Sequence, residues 1–108
     1  MAAYLGEFEH LLLLALLRLG DDAYTASIRG VLEDWTRRSV SPGAIYTALE
    51  RLERRGFVQS KFGEPTPERG GKRKKFYRLR PAGSAALRAS QETIQRVSSQ
   101  LASKLRSL

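Results

Sequence analysis

The spacing of apolar residues along the chain changes once, at Gly56. Before this glycine they recur every three or four residues, which is typical of amphipathic helices, and after it they alternate with polar residues, which is typical of strands. Residues 57–62 and 74–79 flank a segment that contains proline and glycine, and they predict a two-stranded hairpin. The predicted helices are 6–19, 24–37, 42–55 and 81–108.

Local signals mark where these helices begin and end. Ser41 and Pro42 supply a capping hydroxyl and then a proline at the first helical position of the third helix. Gly56 follows two arginines, so that positive charge lies at the negative end of the same helix. Asp21 and Asp22 lie before the second helix, and we expect one of them to be its N-cap.

The third helix has one apolar and one polar face. At 100° per residue, the side opposite Ile45 and Leu49 is small and polar at its start and basic towards its end. That outer face and its flanks comprise Gly43, Tyr46, Thr47, Glu50, Arg51 and Arg54.

The last predicted helix carries a long apolar stripe, in which leucine or isoleucine recurs every seven residues from Leu87 to Leu108. A chain of 108 residues has only a modest core, and it leaves this stripe without a partner of its own. We therefore expect a homodimer. The residues expected in its interface are Leu87, Ile94, Val97, Leu101 and Leu105.

Charge narrows the class of partner. The sequence has 19 Lys and Arg against 11 Asp and Glu, a formal net charge of +8, and such a field attracts polyanions. Residues 69–80 alone hold seven basic side chains and no acidic one. The absence of cysteine excludes disulfides and thiolate metal sites and fits a reducing cytoplasm. The apolar run 11–17 is far shorter than the roughly 20 residues that span a bilayer, so we expect a soluble cytoplasmic protein.

No pattern in the sequence favours catalysis. Gly71 and Lys72 resemble the end of a phosphate-binding P-loop, but that motif requires glycine at Thr66 and serine or threonine at Arg73. No nucleophile and base or pair of carboxylates can be assigned to a cleft, and His10, the single histidine, is expected to be structural. We expect no enzymatic activity, no cofactor and no metal.

The order of elements, three helices, a hairpin and a long helix, is that of a winged helix-turn-helix. In this arrangement the third helix enters the major groove of DNA, and the hairpin, or wing, lies along the backbone. The basic residues expected at or near the tip of the wing are Arg69, Lys72, Arg73 and Lys74. Residues 1–80 form the predicted DNA-binding domain, and residues 81–108 form the predicted dimerisation helix of one compact domain.

Three segments, at residues 5–24, 41–58 and 69–87, resemble the PadR-like transcriptional regulators. SPGAIY and GKRKKFYRL are the most specific of the shared sequences. The resemblance implies a dimeric bacterial or archaeal repressor, which in this family is often released from DNA by a small molecule. The sequence resembles the short-tailed branch of the family. The resemblance maps the start of the recognition helix onto Ser41, Pro42, Gly43, Tyr46 and Thr47, and the basic wing residues onto Arg73 and Lys74. Arg80 departs from the family pattern, which has a capping threonine there.

Other interpretations stay open at this point. The basic run is also compatible with a solvated face. A basic winged helix can bind RNA, for which Phe62 and Phe76 are the candidate stacking residues, or a protein partner. Trp35 is expected either in the core or in the dimer interface.

Overall fold

The computed structural model describes residues 5–64 and 73–108 of the chain. The described part is mainly helical with one antiparallel hairpin, which confirms the predicted winged helix-turn-helix. Its elements in chain order are α1 (Glu7–Leu19), a 3-10 turn (Gly20–Asp22), α2 (Thr25–Thr36), α3 (Pro42–Arg54), β1 (Val58–Phe62), β2 (Lys75–Leu79), α4 (Pro81–Gln100) and α5 (Ala102–Arg106).

The core lies where α1, α2 and α3 meet. Its largest fully buried side chains are Leu12, Leu13, Ile28, Leu32, Ile45, Leu49, Leu52 and Val58. Removal of this apolar surface from water drives the packing of the three helices. The burial of one face of α3 then fixes which of its residues face outward.

The hairpin is tied to the helices by its second strand. Val58 pairs with Leu79 and Phe62 with Lys75, within one residue of the predicted strands. The amide N of Tyr77 donates to the carbonyl O of Ala23 at 2.8 Å. Tyr77 is 2% exposed, and its burial raises the pKa of its phenol to about 12. The base of the wing is therefore part of the core.

The predicted aspartate cap of α2 is wrong. Asp21 and Asp22 lie inside the 3-10 turn, and the extended N-cap position is occupied by Tyr24. The Ser27 hydroxyl accepts a hydrogen bond from the Tyr24 amide at 3.0 Å and lies 2.6 Å from the carbonyl O of Asp22. An N-cap residue has non-helical backbone angles, so an aspartate already within a helical turn cannot take that position.

Close packing fixes the start of α4. The amide of Arg80 donates to the carbonyl O of Phe57 at 2.9 Å, and Pro81 occupies the first helical position without a side-chain cap at Arg80. A Cβ on Gly83 would overlap the backbone of Phe57. The two ring nitrogens of His10 lie 2.7 Å from Ser90 Oγ and 2.9 Å from Gln91 Oε1, so this histidine links α1 to α4 in the structural role expected for it.

The prediction of one continuous helix from Pro81 to the C-terminus is wrong. Helix α4 ends at Gln100, and Leu101 leaves the helical conformation at φ −112° and ψ 13°. The Leu101 amide bonds to Ser98 O, three residues back, and a tightened last turn of this kind ends an α-helix. The Ser99 hydroxyl lies within hydrogen-bonding distance of two carbonyls of the preceding turn, a local contact that tends to bend helices.

Candidate nucleic-acid interface

The start of α3 is built as the sequence predicts. Ser41 is the N-cap in an extended conformation, and its Oγ accepts a hydrogen bond from the Ala44 amide at 3.1 Å. Pro42 is the first helical residue. Because the helix buries Ile45 and Leu49, its opposite side faces solvent. The exposed residues include the predicted site residues Ser41, Pro42, Gly43, Tyr46, Thr47 and Arg51.

A carboxylate fixes the turn that orients this helix. Glu33 Oε2 accepts a hydrogen bond from the Val40 amide at 2.7 Å and from Arg29 Nε at 3.2 Å. The bond from the Val40 backbone lowers the pKa of Glu33, with a further contribution from the charge of Arg29. The turn between α2 and α3 is thus held from the α2 side, directly before the Ser41 cap.

A second carboxylate joins the wing to the other end of α3. Glu53 Oε2 accepts hydrogen bonds from the Ser60 amide at 3.2 Å and from the Ser60 hydroxyl at 2.8 Å. The Lys75 ammonium lies 5.8 Å from the centroid of the Tyr46 ring and 5.7 Å from that of Phe62. Phe62 itself is 60% exposed. These contacts bring the positive charge of the wing next to the exposed face of α3.

The cations Arg73, Lys74 and Lys75 lie at the start of β2, the tip-side end of the described hairpin, and line a cleft beside α2. Arg73 is exposed, and Lys74 is half-buried. The Lys74 ammonium lies 4.2 Å from the centroid of the Tyr24 ring. Arg69 and Lys72, the other basic residues predicted near the tip, lie outside the described residues.

An open cleft between α2, the start of α3 and the start of β2 was not predicted from the sequence. It has a volume of about 660 Å³ and is lined by Tyr24, Thr25, Ala26, Arg29, Gly30, Glu33, Pro42, Arg73, Lys74 and Lys75. Tyr24 and Lys74 are fifty positions apart, one before α2 and the other before β2. No local pattern signals their contact.

The predicted dimer residues fall into two groups. Leu87 is 6% exposed and belongs to the core of the chain itself, packed there with the first turns of α4. The other four are exposed, from 44% to 57%, so the exposed stripe begins at Ile94. Trp35 is 38% exposed with the Arg18 guanidinium 5.8 Å from the centroid of its ring, beside the exposed Leu17. Trp35 therefore does not lie in the core, and its other expected place, the dimer interface, stays a prediction.

The fold and this basic, polar surface define a winged helix-turn-helix regulator. The sequence model of the transcriptional regulator PadR-like family matches residues 13–89. The chain therefore belongs to the PadR-like family of transcriptional regulators, and its winged helix-turn-helix is the DNA-binding fold of these proteins. A comparison with curated proteins finds no significant match.

Solved structures share the fold. A PadR-like transcription factor from Bacteroides fragilis is 23% identical, with a TM-score of 0.74, over 87% of this chain and 85% of that one. A PadR-like transcriptional regulator from Bacillus cereus is 19% identical, with a TM-score of 0.75, over 91% of this chain and 90% of that one. A PadR family regulator from Eggerthella lenta is 23% identical, with a TM-score of 0.71, over 94% of this chain and 88% of that one.

The sequence predicts no segment long enough to span a membrane. Each helix within residues 5–64 and 73–108 is too short or too polar to cross a lipid bilayer.

Proposed function

We propose that the chain is a transcriptional repressor that binds a pseudo-palindromic DNA operator as a homodimer. The start of α3 enters the major groove, where Gly43, Tyr46 and Thr47 reach base edges, and Arg73 and Lys74 of the wing contact the backbone. The observation that carries this proposal is the arrangement of α3. Its apolar face is buried, and its exposed polar start lies beside the basic residues at the start of β2.

The C-terminal helices supply the dimer in this proposal. The exposed stripe from Ile94 to Leu105 is apolar surface that a second copy can bury, and two-fold assembly is the commonest form of homo-oligomer. Residues 1–80 then bind DNA, and residues 81–108 hold the two copies together. A two-fold dimer reads half-sites about 10 bp apart or a multiple of this spacing.

Repression and release by an effector complete the proposal. A bound dimer occupies promoter DNA that RNA polymerase needs, which favours repression over activation. The family resemblance supports release of the repressor by a small-molecule effector.

Selection of genomic fragments bound by the purified chain tests the proposal. We expect recovered fragments to share a pseudo-palindrome, and footprinting to show two protected half-sites. Gel shifts with the recovered duplex and with structured RNA then separate the DNA from the RNA interpretation. Preference for RNA, an asymmetric single half-site, or binding that salt does not weaken would each contradict the proposal.

A further inference from the structure

We propose that the cleft between α2 and the start of β2 is a separate phosphate site, which takes one phosphate of the DNA backbone beyond the contacts of α3. The inference rests on the proposed function and adds two residues to the interface, Arg29 of α2 and Tyr24, the N-cap of the same helix. Neither lies on the recognition helix or on the wing.

The charge lining the cleft suits an anion. Four cationic side chains and one carboxylate surround it. The carboxylate, Glu33, already accepts hydrogen bonds from the Val40 amide and from Arg29, so its charge is partly compensated within the protein. The net charge of the lining side chains is therefore positive, which suits the negative charge of a phosphate diester.

Tyr24 acts as a positioning residue for Lys74. The ammonium stands 4.2 Å from the centroid of the Tyr24 ring, an attractive arrangement of a cation over a ring face. The ring is itself held by an edge contact with Phe76, with centroids 5.5 Å apart, and by backbone pairing of the same two residues. Because the lysine is already ordered, it loses less conformational entropy when a phosphate binds.

Arg29 stands on the opposite wall. Its Nε is bonded to Glu33 at 3.2 Å, and its side chain is 43% exposed. A guanidinium has five N–H donors, so the single bond to Glu33 leaves donors that can reach a phosphate oxygen. Arg29 and Lys74 therefore approach the cleft from α2 and from the wing respectively.

The position of the cleft favours DNA backbone over a free phosphorylated ligand. Pro42, the first residue of α3, lines the cleft together with Arg73, Lys74 and Lys75 of the wing. A strand that passes from the start of α3 to the wing must cross this opening. The cleft is also open to solvent along that side rather than closed around a small molecule.

The test is a salt titration of full-length chain on its operator duplex. Each phosphate contact contributes about 0.9 to the slope of log K against log salt, so Arg29→Gln should lower the slope by about one unit. Arg29→Lys, which keeps the charge, should retain most of it, and Arg106→Gln, exposed on α5, should leave it unchanged. Lys74→Gln should also lower the slope, whereas Tyr24→Leu, which keeps the charge of Lys74, should weaken binding with little change in slope, and Tyr24→Phe, which keeps the ring, should change neither.

A second measurement locates the phosphate. Neutral methylphosphonate replaces backbone phosphates one at a time. We expect the replacement at one position outside the α3 footprint to weaken binding of the operator by the unsubstituted chain. The same replacement should not change the affinity of the Arg29→Gln variant. If Tyr24→Leu does not fold, as judged by circular dichroism, the Arg29 variants and this profile decide alone.

Three outcomes separate the alternatives. An unchanged slope and profile for Arg29→Gln would overturn the phosphate site while leaving the proposed function intact. Inorganic phosphate that stays bound in this cleft when the operator duplex is added, followed by NMR at constant ionic strength, would assign the cleft to a free ligand and also overturn the inference. Absence of salt-dependent duplex binding by the unsubstituted chain would contradict the proposed function itself.

Discussion

Helix α3 and the second half of helix α4 both carry apolar residues at helical spacing, but these residues lie in different surroundings. In α3, Ile45 and Leu49 are fully buried within the chain, and small polar residues face solvent. In α4, the apolar side chains from Ile94 onward are about half exposed. The first surface suits a polar, charged partner, and the second suits another apolar surface. The two surfaces therefore suit partners of opposite chemistry.

Substitutions in the exposed stripe from Ile94 to Leu105 give the largest expected effect, a loss of dimer affinity. Ile94→Glu or Leu101→Glu places a carboxylate where the proposed dimer excludes water, and an unpaired buried charge costs several kcal/mol. We expect the dimer dissociation constant to rise more than about a hundredfold, at 1.4 kcal/mol per tenfold, and sedimentation equilibrium measures it. Ser99→Glu puts the same charge away from the stripe and should leave the dimer intact. A stable monomer of the unsubstituted chain at micromolar concentration would contradict the dimer.

The anchored first half of α4 is tested by Gly83→Ala. The new Cβ would overlap the Phe57 backbone, and overpacking of this kind typically costs about 1–3 kcal/mol of unfolding free energy. Chemical denaturation measures the loss. Gly30→Ala is the matched control, because a Cβ there meets no atom within 4 Å, and it should stabilise α2 by about 0.5–1 kcal/mol. Equal stabilities for the two variants would show that α4 is not held by this contact.

Features with local causes were predicted from the sequence, and features that depend on distant parts of the chain were not. The Ser41-Pro42 start of α3 and the change of period at Gly56 depend on neighbouring residues. Helix α3 and the two strands of the hairpin accordingly lie within a residue or two of their predicted limits. The contact of Tyr24 with Lys74 depends on where β2 packs, which no local pattern encodes. The interruption at Leu101 occurs within a heptad repeat that continues across it, so periodicity alone predicts an unbroken helix.

A substitution at the exposed start of α3 gives the next largest effect, a change in operator specificity. Thr47 is exposed above the buried Ile45 and Leu49, and we expect Thr47→Ala to relax discrimination at one operator position by about 1–3 kcal/mol. Competition among single-base operator variants measures this change. Ser103→Ala, exposed on α5, is the control. Loss of affinity that is uniform across all variants would show that Thr47 contacts backbone rather than a base.

We expect the smallest effect on sequence preference from the basic residues that precede β2, although they line the same cleft as the start of α3. Arg73 and Lys74 are expected to contact phosphate, which carries no sequence information. The double variant Arg73→Ala with Lys74→Ala should lower the salt slope by about one unit for each phosphate released, weaken binding to operator and random duplex alike, and keep the ranking of operator variants. A full slope in this variant would mean that the charges form only a solvated face. A changed ranking would mean that the wing reads groove width or sequence, because weakening every duplex by the same amount cannot reorder them.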